Sequence, residues 1–252
     1  MAGKRIKVTN KGALRIITTH NQQKKNAWNK ECYDDINNAL CAAAVDDTVN
    51  VVAITGAGDF FSSGNDLSSM DMDNIDELRD SAQKMLIAHI KFPKLLIAVV
   101  NGPCIGIAAT IVALCDVVYA ANIAYFYAPF TQLGICIEGA ASYSFPKILG
   151  PSKAAEVLLL NHKLTADEAL KFKLVSEVFT PTDLQTTIWP RIESFSKLPR
   201  NSIMVGKKLL RNIESDKLER ARKEEAVALF KLIDSGEFKN AALQFLNRKS
   251  KL

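Results

Sequence analysis

Histidine is scarce. His20, His89 and His162 are the three in the chain, and none stands at ligand spacing from another. No CxxC pair and no Cys/His cluster occurs, so the sequence offers no zinc framework and no metal is expected. The cysteines number five, Cys32, Cys41, Cys104, Cys115 and Cys136. An odd count without framework spacing reads as reduced, mostly buried small apolar side chains in a reducing compartment. There is no P-loop and no G-x-S-x-G nucleophile elbow. Gly56-Ala57-Gly58-Asp59-Phe60-Phe61 follows a strand pattern, but Phe61 stands where a G-x-G-x-x-G turn needs its third glycine. A dinucleotide cofactor is therefore not expected. No Lys/Arg run with interleaved aromatics appears, which argues against nucleic acid as a partner. The longest apolar stretch, Cys104 to Ala121, contains Gly106 and is broken by Asp116. It reads as a buried helix and strand, so no membrane span is expected. Met1 to Lys7, short and charged, does not read as a secretory signal.

What is present fits one large domain. The chain has 252 residues, 48% hydrophobic and 23% charged, with a formal net charge of +5. The basic excess thickens around Lys207, Lys208, Arg211, Arg220, Arg222 and Lys223, and suits a small polyanion such as a nucleotide phosphate. Two strands, Ile6–Thr9 and Ala13–Thr18, flank a Lys11-Gly12 turn. Asn29 is placed to cap a helix whose apolar residues are Cys32, Ile36, Ala39, Leu40 and Ala43. Val51–Thr55 is β-branched, as in a strand covered on both faces. Helix is expected over Asp73–Ile90 and Ile107–Leu114, strand over Leu95–Val100 and Asp116–Ala120. Beyond Val178 the pattern is helical: Leu184–Leu198 (kinked or split at Pro190), Asn201–Ile213, Lys217–Ser235 and Glu237–Leu246. The fold class is therefore α/β, strand–helix repeats with a helical C-terminal region. That tail can fold over its own core or pack on another subunit; the pattern favours neither.

Two loops carry chemical information. One is Phe60-Phe61-Ser62-Ser63-Gly64-Asn65-Asp66-Leu67, and the other Asn101-Gly102-Pro103-Cys104-Ile105-Gly106-Ile107. Each follows a buried strand and puts a glycine just before a helix start, where free N–H groups can hold an oxygen bearing negative charge. Two such loops on neighbouring strands can converge on one oxyanion. Either one alone reads more readily as an ordinary tight turn.

Together, Phe-Ser-Ser-Gly-Asn-Asp-Leu and Ile-Ala-Val-Val-Asn-Gly-Pro-Cys-Ile-Gly resemble the crotonase (enoyl-CoA hydratase/isomerase) family. The resemblance continues through Ala113–Ala120, Phe145-Pro146 and Leu164–Ala169. It implies a crotonase-like spiral of ββα repeats over about residues 5–195 and a helical trimerisation region over about 196–252, within a single domain. It also implies acyl-CoA thioester substrates, with CoA part of the substrate rather than a cofactor, and a homotrimer or a dimer of trimers. By matching positions, the N–H groups of Asn65 and Ile107 form the oxyanion hole. Ser62, Ser63, Gly64, Asp66, Leu67, Gly106, Ala27 and Phe130 fall in substrate-binding segments. The loop carrying Lys24 and Lys25 lacks the Arg-Pro that often precedes Lys-Asn-Ala, and these lysines are the candidates for the CoA phosphates.

Family hydratases use two glutamates to add water. Thr110 and Phe130 stand at those positions here, so hydration is not expected. Glu138, in Leu133-Gly134-Ile135-Cys136-Ile137-Glu138-Gly139, matches the catalytic base of the peroxisomal Δ3,Δ2-enoyl-CoA isomerase group. Moving a double bond from C3 to C2 takes a proton from C2 and returns one at C4, and one carboxylate can serve both carbons. The apolar neighbours of Glu138 should raise its pKa; without the motif it reads equally as an exposed glutamate at a helix start. Ser250-Lys251-Leu252 is the tripeptide read by the peroxisomal import receptor, implying a matrix location. The rival expectation is a crotonase-fold scaffold without catalysis, which should lack both Glu138 and the tripeptide. A dienoyl-CoA isomerase or thioester hydrolase is a third.

Overall fold

Apolar β-branched runs make the strands, and glycine turns set where they stop. The computed structural model describes residues 5–69 and 75–236, with Phe238 and Ala241; the Ser250-Lys251-Leu252 address lies outside them. β1 (Ile6–Lys11) and β2 (Leu14–Thr19) pair antiparallel around Gly12, whose φ of +55° favours glycine. Asn29 then starts α1 (Lys30–Val45), its side-chain oxygen accepting the Cys32 N–H, a cap worth about 1 kcal/mol. There follow β3 (Val51–Gly56), α2 (Ile75–Lys91), β4 (Leu95–Val100), β5 (Cys104–Ile105), α3 (Ile107–Ile111), β6 (Val117–Ala121) and β7 (Tyr125–Tyr127). The rest comprises α4 (Ala141–Leu149), α5 (Pro151–Leu158), β8 (Leu164–Thr165), α6 (Ala166–Lys171), β9 (Glu177–Phe179), α7 (Trp189–Phe195) and α8 (Arg200–Asp234).

The large sheet runs β1-β2-β3-β4-β6-β9, parallel except at β1. A small sheet runs β5-β7-β8, and single bridges Ser62↔Cys104 and Trp28↔Asn65 carry the same strip further. The chain therefore repeats one unit: a strand of the large sheet, a short piece of the small one, then a helix. β3, Ser62 and α2 make one turn; β4, β5 and α3 the next; β6, β7 and α4 a third. This is the expected spiral of ββα units.

The strands' period of two splits the core. Val52, Ile54, Leu96, Ala98, Val100, Val118 and Ala120 face the main cluster with α1 and α2. Val51, Ala53, Ile97, Val99, Tyr119 and Ala121 face a second cluster closed by Ile188, Trp189 and Ile192. Both faces are dry, which is why these strands read as continuous apolar runs.

The helical tail differs from expectation. The segments read as Asn201–Ile213 and Lys217–Ser235 are one helix, α8. The polar stretch Glu214-Ser215-Asp216 does not break it, because Glu214 pairs with Lys147 at 2.7 Å and accepts from the Tyr143 hydroxyl on α4. Before α7, Leu184–Ile188 is a π-helical turn, and Pro190 sits in the first turn of α7, where its missing N–H costs no bond. Helix α3 tightens to a 3-10 turn at Val112–Leu114. Of the expected helix Glu237–Leu246, Phe238 and Ala241 alone are described.

Much of the C-terminal basic charge is spent inside the protein rather than on a ligand. Lys207 and Arg211 on α8 bind Asp116 at 2.7 and 3.1 Å, and Asp116 also accepts the Leu96 N–H at 2.8 Å. Arg222 is held by Glu219 and Gln83. These ties fix α8 against the sheet and α2. The opposite side of its first half leaves Val205, Leu209, Leu210 and Ile213 exposed.

Candidate active site

The two glycine loops meet. Gly64 has φ +82°, and a Cβ built on it would lie 2.8 Å from the Ile105 carbonyl oxygen and 3.4 Å from the Gly106 Cα. Gly106 has φ +63° and ψ −135°, a conformation open essentially to glycine. The close approach requires the bare Gly64, whereas a Cβ on Gly106 would meet the Gly64 Cα at an ordinary 3.6 Å, so Gly106 is needed for its backbone conformation. Neighbouring polar groups are consumed in holding the loops. Ser62 Oγ donates to Asn26 O at 2.8 Å and accepts the Gly64 N–H at 3.1 Å. Trp28 N–H donates to Gly64 O, Asp66 N–H to Trp28 O, and Gly106 N–H to Tyr127 O. Asn101 joins the strand ends, accepting the Gly56 N–H and donating to Gly58 O. Among the described residues, the Asn65 N–H has no hydrogen-bond partner. Neither does the Ile107 N–H, which opens α3 and so has no partner inside the helix. Two free donors on touching backbones suit an oxyanion.

Glu138 faces the same space. Its carboxyl lines a cavity of ≈ 560 Å3 that also takes in Asn65, Gly106 and Ile107. Burial, and then the negative charge of Glu225, push its pKa up to about 8. Desolvation disfavours the carboxylate, and a like charge nearby disfavours it further. The following residues turn sharply, with Gly139 at φ +84° and Ala140 at φ +57°. A Cβ at Gly139 would lie 2.3 Å from Thr110 Oγ1. Thr110 is fully buried and donates to Ile107 O at 3.0 Å, so it provides neither an acid nor room for one. Phe130, also buried, forms apolar cavity wall.

Most of the sequence-predicted residues meet at this cavity. Lys24, Lys25, Ala27, Ser63, Gly64, Asn65, Asp66, Leu67, Gly106, Ile107, Phe130 and Glu138 all line it. Ser62 does not: it is buried behind the wall and locks the loop. The half-exposed Lys24 ammonium donates to Asp66 Oδ2 and Ser68 Oγ, each at 2.8 Å. Lys25 lies 5.2 Å over the Phe60 ring. Cys32 and Cys115 have thiols pushed up to about 12 by burial, which makes them inert packing groups.

Several contributors escaped the sequence reading. Tyr33, fully buried on α1, donates its hydroxyl to Asn65 Oδ1. Asn26, in left-handed backbone, donates to Ala57 O and Phe60 O at 2.8 and 2.7 Å. Lys163 lies over the Tyr125 and Tyr127 rings on the cavity wall. The far part of the cavity is built by Ile75, Leu78 and Ala82 of α2 and by Leu229, Phe230 and Ile233 of α8, with Phe238. Arg79 joins those helices, over the Phe230 ring at 4.5 Å and 3.4 Å from Asp234. A face of α2 reads as amphipathic, but nothing local says α8 returns to cover it.

Residues 9–251 match the family described as enoyl-CoA hydratase/isomerase. Enoyl-CoA delta isomerase 2 of Rattus norvegicus is 43% identical over 256 residues, covering 99% of this chain and 65% of that protein. The chain thus spans just under two thirds of that relative's length. The Mus musculus protein named enoyl-CoA delta isomerase 3, peroxisomal, is 42% identical over 254 residues, covering 98% of this chain and 80% of the relative. A solved enoyl-CoA hydratase/isomerase from Pseudoalteromonas atlantica superposes with a TM-score of 0.89 at 30% identity, covering 97% of this chain and 98% of its own. With the paired glycine loops and the spiral of ββα units that carries them, these similarities make the chain a member of the enoyl-CoA hydratase/isomerase (crotonase) family.

Proposed function

We propose that this protein moves the double bond of a 3-enoyl-CoA to give the trans-2-enoyl-CoA, using Glu138 as its one acid–base group. The carrying observation is the cavity's chemistry. The desolvated Glu138 carboxyl lines the same cavity as Asn65 and Ile107, whose backbone N–H groups have no partner among the described residues, and Thr110 and Phe130, which the resemblance aligns with the hydratases' two glutamates, bring no acid there. The thioester oxygen sits between the Asn65 and Ile107 N–H groups. The Glu138 carboxylate takes a proton from C2, and the charge passes to that oxygen as a dienolate. The same carboxyl returns the proton at C4. Each backbone donor contributes about 3–4 kcal/mol, as oxyanion donors do elsewhere. The acyl chain lies in the apolar compartment between α2 and α8, and the CoA phosphates meet the lysines of the cavity wall, Lys24, Lys25 and Lys163. The test is 3-hexenoyl-CoA and 2-hexenoyl-CoA offered separately, with isomerisation and hydration followed together. Isomerisation without 3-hydroxyacyl product is expected; hydration as the main reaction sinks the reading.

Two further readings belong with it. The exposed Val205, Leu209, Leu210 and Ile213 recur at helical spacing on α8. Such a stripe suits burial against a second copy in a closed ring, most simply a trimer. Light scattering should show the oligomer, and a stable monomer at micromolar concentration defeats it. Ser250-Lys251-Leu252, with a relative named peroxisomal, supports a peroxisomal location. A chain lacking Leu252 should remain in the cytosol, and its unassisted import would refute the address.

A further inference from the structure

Helix α4 begins without a cap of its own. Its N-cap residue, Ala140, has no side-chain oxygen and sits in left-handed backbone, a conformation that costs a non-glycine residue about 1–2 kcal/mol. The missing acceptors come from far along the chain. Glu225, on α8 and 6% exposed, accepts the Ala140 N–H on Oε2 at 2.7 Å and the Ser142 N–H on Oε1 at 2.8 Å. Burial raises the Glu225 pKa above its ordinary value, and the Ser142 and Ala140 N–H groups at the positive helix end work against that rise in favour of the carboxylate. The corner held this way is the one directly after Glu138.

We propose that Glu225 is a positioning residue for Glu138, its carboxylate clamping the Gly139-Ala140 corner and placing a second negative charge beside the base. This rests on the reading of Glu138 as that base. Clamping fixes where the Glu138 carboxyl points over the substrate, and the added charge keeps its proton affinity high. The other titratable groups felt at this point do not carry charge there. Tyr33, facing Glu138 from α1, has its phenol raised well above the usual range by burial, and Cys136 on the same loop is pushed up to about 11, also chiefly by burial. Arg222, one turn before Glu225, is committed to Glu219 and Gln83. Lys24 and Asp66, elsewhere on the cavity wall, neutralise each other.

Glu225→Gln removes the charge and leaves one side-chain acceptor for two N–H groups. Full pH profiles of 3-hexenoyl-CoA isomerisation by the intact chain, with thermal melts, test it. The kcat plateau should fall about 10- to 100-fold, the scale of a small misplacement of a catalytic group, while KM stays within about twofold, since only positioning is lost. The ascending limb of kcat/KM, set by the raised pKa of Glu138, should move to lower pH than in the wild type, because a like charge has gone. A limb left at the wild-type position, whether the variant is fully active or slower and less stable, overturns the proposal, since a purely structural cap would not move it. If Glu225→Gln yields no folded protein, Glu225→Asp decides. It keeps the charge but withdraws the clamp, so kcat should fall about tenfold, a positioning loss, with the limb unmoved. No loss of kcat in that variant overturns the clamp. Glu138→Gln is run beside both: if it still turns over, the base reading fails, whatever Glu225 does.

Discussion

Glu138→Gln should lower isomerisation of 3-hexenoyl-CoA by at least about 100-fold, the usual range for losing general acid–base catalysis. Glutamine keeps the size and one acceptor oxygen but cannot take the C2 proton. Substrate binding should survive, because the Asn65 and Ile107 N–H groups and the cavity's apolar wall remain. Binding of a saturated acyl-CoA, measured on the same variant, separates the two effects. Near-normal turnover with intact binding would end the single-base mechanism and turn attention to Asp66 or Tyr127. Stability gives an independent sign. The folded-state pKa of Glu138, about 8, is above the ordinary 4.5 of a free glutamate. A group raised in this way stabilises the fold fully below the unfolded pKa and loses that contribution as pH rises through the folded one. Wild-type protein therefore loses stability as pH rises from about 4.5 to about 8 and holds the full buried charge beyond that, whereas the variant has none to bury. The melting temperature of Glu138→Gln relative to wild type should be higher at pH 9 than at pH 6. An equal difference at both values would mean that this carboxyl is not desolvated.

Local signals carried much of this structure, and their reach is visible residue by residue. Strand β4 is read correctly from Leu95 to Val100 because an apolar run ends at Asn101-Gly102-Pro103, a strong stop. Asn29 is read as a cap because capping is local chemistry. Gly64 and Gly106 were legible as a pair, since both follow buried strands and precede helix starts. What was not legible is long-range. Glu225 acts 85 residues from Ala140, and its helix reads merely as amphipathic. The ion pair of Lys24 with Asp66 spans 42 residues, so the pattern around Lys24 does not show it. The continuity of α8 through Glu214 depends on Tyr143 and Lys147, which the local pattern cannot include. Sequence thus picked out residues that the fold brings to one cavity and missed the groups that hold them.

The contact between the two loops makes the second large prediction. Gly64→Ala should lower kcat by about 100-fold or more, the cost of losing one oxyanion donor. The new methyl would sit 2.8 Å from the Ile105 carbonyl oxygen, on backbone that cannot rotate away. The loops must part by some tenths of an ångström, and the Asn65 N–H moves with Gly64 while the Ile107 N–H stays with Gly106. A hole built from two donors loses its aim when one of them shifts. The residue must also hold φ +82°, which alone costs an L-residue about 1–2 kcal/mol. Gly12→Ala separates that strain from the collision. Gly12 has φ +55° in the β1–β2 turn, with nothing within 4 Å of an added Cβ. It should lower the melting temperature and leave turnover unchanged. Both variants are assayed for 3-hexenoyl-CoA turnover beside a thermal melt. If Gly64→Ala loses no more activity than Gly12→Ala at matched stability, the loop before Asn65 does not hold the thioester oxygen, and the oxyanion reading of these two backbones falls with it.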